Sequence, residues 1–170
     1  MQHFIRIALV ALLSLNPILG FAGVDVGDKP YNRLGKDLRG QTLSAADYEG
    51  KVLIITFWAT WCGPCMKELP ILSTIQKQVG NDKLQVIGIN YLEGKKRFKH
   101  IATALADNPI IISYDHKGTI AKRYGVDGIP HMVIVGKDGT VVAKHVGYSE
   151  KQLPGLVDEI NAAINAEYAQ

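Results

Sequence analysis

The chain has 170 residues, 47% hydrophobic and 21% charged, with a formal net charge of +3. That length and mix suit one globular domain with a sizeable core. The small charge, with no basic stripe interleaved with aromatic residues, excludes a nucleic-acid-binding reading.

The first residues read as a leader rather than as part of the fold. One positive charge, Arg6, precedes the apolar stretch Ile7–Leu15, Asn16-Pro17 interrupts it, and Gly20-Phe21-Ala22 places small residues at cleavage spacing. The expected organisation is a signal peptide over 1–22, cut after Ala22, and one domain over 23–170. The stretch from Ile5 to Ala22 is nearly long enough to span a bilayer, so an uncleaved anchor is the alternative. No cysteine lies near the junction, which argues against a lipid anchor.

Residues 23–50, rich in Gly, Asp and Lys, suggest a short β-extension over the sheet. Lys51–Trp58 is a continuous apolar run, as in a strand buried on both faces. From Pro64 to about Val79, apolar Met66, Leu69, Ile71, Leu72, Ile75 and Val79 predict a helix, with a kink at Pro70. Leu84–Asn90 predicts a strand, Lys95–Ala106 a helix ending before Asn108-Pro109, and Ile110–Ser113 a short strand. Thr119–Tyr124 predicts a helix stopped by Gly125, and Met132–Val135 and Val141–Val146 a hairpin turning at Lys137-Asp138-Gly139. Ser149 with Gln152 resembles a capping box for a last helix, although Pro154 falls late for it and implies an irregular first turn. The order β-α-β-α-β-α-β-β-α implies an α/β fold, three layers deep, with a mixed central sheet.

Both cysteines of the chain sit in Trp61-Cys62-Gly63-Pro64-Cys65, between the first long strand and its helix. A helix start leaves backbone N–H groups unpaired and partly positive, which favours a thiolate at Cys62. Cys65 lies one helical turn on, within reach for a disulfide. A structural bridge closing so small a loop would contribute little stability. A structural zinc site needs four ligands, and the five histidines show no zinc-finger spacing. Redox exchange is the reading that remains, and no cofactor or metal is called for. The basic run Lys95-Lys96-Arg97, then Lys99-His100, reads first as a solvated helix face, with a docking patch for an acidic partner as the alternative.

Phe57-Trp58-Ala59-Thr60-Trp61-Cys62-Gly63-Pro64-Cys65, Lys67-Glu68-Leu69-Pro70, Gly128-Ile129-Pro130 and the long segment opening with Asn90-Tyr91-Leu92-Glu93 together resemble the exported TlpA/ResA-like thiol:disulfide oxidoreductases of the thioredoxin fold. The resemblance covers about residues 25–168. It implies a cis bond before Pro130, with the backbone of Ile129 beside Cys62 to pair with an extended substrate. It implies an acidic residue near the cysteines, which it places at Glu93, to accept the proton of Cys65. Plain thioredoxins carry a buried acid where this chain has Thr56, so the proton must leave through Glu93 or water. Trp61, Gly63, Pro64, Ile129 and His131 are the expected substrate-contacting positions.

The Gly-Pro pair between the cysteines is that of reducing thioredoxins, near −270 mV, against about −120 mV for a strong oxidant. The expected activity is therefore protein-disulfide reduction in the periplasm, by a monomer acting on protein disulfides. Its electrons would come from a membrane thiol transporter of the DsbD/CcdA kind. The substrate classes implied are apo-cytochrome c haem-site cysteines and oxidised metal-site cysteines of assembly proteins. A Cu(I) metallochaperone using the two thiolates and His131 is the competing reading.

Overall fold

The computed structural model describes residues 23–105 and 108–167, so the leader expected over 1–22 lies outside the described residues. Its elements are β1 (Arg33–Lys36), β2 (Thr42–Ser44), β3 (Val52–Trp58), α1 (Gly63–Val79), β4 (Leu84–Tyr91), α2 (Lys95–Ala104), β5 (Ile111–Asp115), α3 (Thr119–Tyr124), β6 (His131–Val135), β7 (Val141–Val146) and α4 (Leu153–Asn165). This is the thioredoxin-like α/β architecture expected from the sequence. Among the described residues no helix is long and apolar enough to cross a membrane.

Five strands form the central sheet in the order β5-β4-β3-β6-β7. β3, β4 and β5 run parallel, and β6 and β7 are antiparallel to their neighbours. All seven residues of β3 are buried, because helices or the N-terminal hairpin cover both faces of the sheet. The parallel strands bring their C-terminal ends, and the loops leading into α1, α2 and α3, to one end of the molecule. The cysteines lie there.

Two cores flank the sheet. On one face Leu69 and Leu72 of α1, Phe98 of α2 and Leu156 and Ile160 of α4 pack on Ile54, Val86 and Ile134. On the other, Ile120 and Tyr124 of α3 and Leu34 and Leu43 of the hairpin pack on Ile55, Phe57 and Val133. Gly35 (φ +95°) lets β1 lie close to β5, since a Cβ there would sit 3.1 Å from the Tyr114 carbonyl oxygen. The Ser113 hydroxyl donates to the Leu34 carbonyl across this contact (2.6 Å). At the opposite edge, the segment before β1 bonds to β7: Gly27 N–H donates to the Val141 carbonyl, and Val141 N–H to the Asp28 carbonyl (both 2.9 Å).

Three details differ from the sequence expectation. α2 ends at Ala104, where Leu105 N–H closes onto the Ile101 carbonyl. β5 runs to Asp115, whose carboxylate then accepts three N–H groups at the start of α3. The capping box at Ser149 does not form. The chain enters α4 through a 3-10 turn over Glu150–Gln152, and the Ser149 side chain makes no cap bond. The irregular entry implied by Pro154 is present.

Candidate active site

Cys62 is the N-cap residue of α1, in extended conformation, with Pro64 in the first turn. It is joined to Cys65 in a disulfide with the Cα atoms 5.3 Å apart. The Cys65 N–H points at Cys62 Sγ (3.2 Å), the orphan donor of the helix start that the sequence places there. Cys62 retains 5% exposure and Cys65 none, so Cys62 is the more accessible sulfur. Trp61, Gly63 and Pro64 are exposed around it, Trp61 at 62%.

The Ile129–Pro130 bond is cis, and the Ile129 carbonyl oxygen lies 3.6 Å from Cys62 Sγ. A half-buried Ile129 thus presents backbone beside the reactive sulfur, as the sequence expects, and Pro130 is buried behind it. His131 goes elsewhere. Its residue parity along β6 matches Val133, so its ring lies in the core on the far side of the sheet from α1, edge-on to Phe57 at 6.1 Å between centroids. It is 2% exposed, and neither ring nitrogen has a hydrogen-bond partner among the described residues. Burial and then the Lys144 charge hold its pKa below the ordinary histidine value, against an opposing pull from Asp127. The expectation that His131 contacts substrate, or serves as a third copper ligand, is corrected on this geometry. Among the described residues no group of three or more His, Cys, Asp or Glu side chains is placed to hold a metal ion.

Glu93 lies under the active-site loop and is 4% exposed. Leu92 before it adopts φ +53°, a strained value for leucine that turns the Glu93 side chain inward. One carboxylate oxygen accepts the Thr60 N–H (2.8 Å) and the Asn90 amide (2.7 Å), and the other accepts the Thr60 hydroxyl. The Tyr114 hydroxyl donates to the Glu93 carbonyl (2.9 Å), and His116 Nδ1 lies 3.0 Å from it. Burial raises the carboxyl pKa, but the bonds from Thr60 and Asn90 and the charge of Arg97 outweigh it, and the net shift is downward. A carboxylate held in that way is a weak base, poorly matched to taking up a thiol proton near neutral pH.

The sequence reading does not single out Glu68, and the structure does. Glu68 is 1% exposed and sits on the inner stripe of α1 with Cys65, Leu69 and Leu72, whereas Met66 is turned outward. It follows Cys65 by three residues, the spacing that puts two side chains side by side on a helix. Thr56 donates its hydroxyl to Glu68 Oε2 (2.7 Å). The position at which the acid of plain thioredoxins is missing therefore holds an acid supplied by the neighbouring helix. Burial pushes the Glu68 pKa up to about 7, against the lowering effect of the Thr56 bond. A cavity of about 20 Å³, bordered by Glu68, His145 and Tyr148, adjoins it and has room for one water. The signal in the sequence is the i+3 spacing from Cys65, beside the apolar Leu69 and Leu72.

A family model described as Redoxin matches residues 26–164. The chain is similar to the thioredoxin-like protein YneN of Bacillus subtilis (strain 168), 35% identical over 135 residues and 76% of each chain. It is similar to the thiol-disulfide oxidoreductase ResA of Bacillus cereus, 27% identical over 154 residues, 85% of this chain and 88% of the relative. A crystal structure described as a thiol:disulfide interchange protein DsbE from Chlorobium tepidum superposes with a TM-score of 0.74 at 29% identity, covering 84% of this chain and 100% of that one.

Proposed function

The chain belongs to the redoxin family and is a ResA/TlpA-like thiol–disulfide oxidoreductase, and from that premise we propose that it reduces protein disulfides after export, with Glu68 as the internal proton acceptor. The observation that carries the mechanism is the pairing of Cys62 at the helix start with Glu68 on the same helix beside Cys65.

In the reduced protein, the Cys62 thiolate attacks one sulfur of a substrate disulfide. The Cys62–substrate bond forms, the substrate S–S bond breaks, and the leaving thiolate takes a proton from solvent. Cys65 gives its proton to the Glu68 carboxylate and attacks Cys62 Sγ. The mixed disulfide breaks, the second substrate thiolate leaves, and the Cys62–Cys65 disulfide closes. Two electrons have passed from the protein to the substrate. The backbone at Ile129, beside Cys62, offers hydrogen-bonding groups to an extended substrate strand. Glu93 acts as a positioning residue: it fixes Thr60, two residues before the nucleophile.

The Gly63-Pro64 dipeptide supports reduction as the direction. A reductant in an oxidising compartment needs a thiol donor, for which a membrane transporter of the DsbD/CcdA kind is the candidate. Cysteines of apo-cytochrome c or of metal-site assembly proteins are the candidate substrates, with periplasmic location, cleavage after Ala22 and a monomeric state as parts of the same reading. The test is mechanism-based trapping. Cys65→Ser should accumulate mixed disulfides on Cys62 in cells, and Cys62→Ser should accumulate none. Trapping by Cys62→Ser alone would reverse the two roles and remove Glu68 from the resolving step.

A further inference from the structure

Beside the disulfide the surface is apolar and cationic at once, and nothing in the exchange chemistry requires the cations. Trp61 and Leu92 are exposed at 62% and 52%. Leu92 keeps its side chain outward because its backbone adopts φ +53° while Glu93 turns in. α2 starts directly after, and its sequence KKRFKHIATA holds no acidic residue. Phe98 is buried against Tyr114, with ring centroids 4.6 Å apart, which turns Lys95, Lys96, Arg97 and Lys99 to solvent. Arg97 lies 3.9 Å from a Glu93 oxygen that Thr60 already occupies. Among the described residues Lys95, Lys96 and Lys99 have no carboxylate within 4.0 Å.

These cations are tied to the reactive sulfur. The Glu93 bonds to Thr60 fix the start of α2 against the loop that ends at Cys62. Trp61 and Leu92 directly follow and precede the bonded pair Thr60 and Glu93, so a chain whose disulfide reaches Cys62 passes close to Leu92 and the first turn of α2. Free cations at such a place raise the encounter rate of acidic chains and disfavour basic ones.

Resting on the oxidoreductase reading, we infer that the Trp61–Leu92 patch and the cationic face of α2 form a docking surface for a polypeptide that carries acidic residues next to its disulfide. An anionic membrane is a poorer occupant, because lipid covering Trp61 and Leu92 would occlude the sulfur that a substrate must reach.

The test uses single-turnover oxidation of the pre-reduced exported chain. Two synthetic disulfide peptides are compared, alike except for acidic or lysine residues flanking the cysteines, together with uncharged hydroxyethyl disulfide. At low salt the acidic peptide should react faster by about 10-fold or more, and high salt should collapse the difference. Lys95→Glu/Lys96→Glu/Lys99→Glu should invert the preference, and the milder Lys95→Gln/Lys96→Gln should shrink it, both with unchanged rates on hydroxyethyl disulfide. Equal rates for the two peptides at low salt would overturn the docking surface alone. So would a preference that survives the charge reversal. So would a face that pellets with phosphatidylglycerol vesicles and shows no peptide preference. Wild-type protein inert toward all three disulfides would overturn the oxidoreductase reading and the docking surface with it.

Discussion

Glu68 and Glu93 are both buried acids near one disulfide, yet their surroundings move them apart. Glu93 has bonds from Thr60 and Asn90 and is held ionised. Glu68 has one, from Thr56, and burial prevails, so it titrates near neutrality where a proton acceptor is useful. Glu68→Gln preserves the size and the Thr56 bond and removes the titration. The resolving attack by Cys65 should slow by about 10²-fold or more, with the initial attack by Cys62 little changed. Stopped-flow kinetics on a model disulfide separates the two steps. Cys62, Cys65 and Pro130 stand out in the sequence because their spacing and type are specific, and the structure joins the two cysteines and makes the bond before Pro130 cis. The resemblance puts an acid at Glu93, just after a strand, whereas Glu68 lies on the inner stripe of a helix and stands out only when that stripe is phased against the sheet. His131 was misplaced for a related reason. β6 is buried on both faces, so its sequence carries no alternation to show which way the ring points.

The loop between β4 and α2 acts as a clamp on the loop between β3 and α1. Its grip is the Glu93 carboxylate on Thr60, backed by Tyr114 and His116 on the Glu93 backbone. Glu93→Gln turns an amide N–H₂ toward donors, leaving buried groups unpaired at a cost of about 2 kcal/mol. Because the folded carboxyl pKa is depressed, the contribution of Glu93 is present above the unfolded value of 4.5 and is lost as pH falls through the folded value. The difference between wild type and Glu93→Gln in urea unfolding should therefore narrow toward strong acid. The loosened loop should also shift the Cys62 thiolate titration followed at 240 nm, which a remote stability defect would leave in place. The element order was readable from buried strands and helical spacing. The entry to α4 was not, because a Ser with a Gln three residues on matches a capping box whether or not the backbone turns through 3-10 geometry first.

Across the whole molecule, two titrating groups sit in opposite cores of one sheet, and their linkage slopes oppose each other. Glu68 has a raised pKa, so the folded state holds its proton more tightly. Its effect is to lower stability as pH rises from the unfolded 4.5 to about 7. The penalty above that window is on the order of 3 kcal/mol, at 1.36 kcal/mol per pKa unit. His131 has a lowered pKa, so its unfolded form takes up protons first. The stability linked to it is complete above the unfolded 6.5 and is lost as pH falls through the folded value. The wild-type profile should be shallow where the two windows overlap. Glu68→Gln should leave stability rising with pH toward 6.5, and His131→Leu should leave it falling over the same range. Denaturant titrations at several pH values measure both slopes, and parallel profiles in all three proteins would remove these groups from the account.

Residues 23–28 and the hairpin that follows guard both flanks of the sheet. Val24 is buried, Lys144 is paired with Asp25, and Gly27 and Asp28 bond to Val141 on β7, while β1 leans on β5. β7 carries Val142 and Val146 facing outward, at 44% and 62% exposure. Shorn of residues 23–28, it would be a bare strand edge with apolar side chains, a template for aggregation. Colloidal solubility thus depends on a segment remote from the chemistry. A chain trimmed to begin at residue 29 should keep its redox exchange and yet self-associate, as light scattering against concentration would reveal.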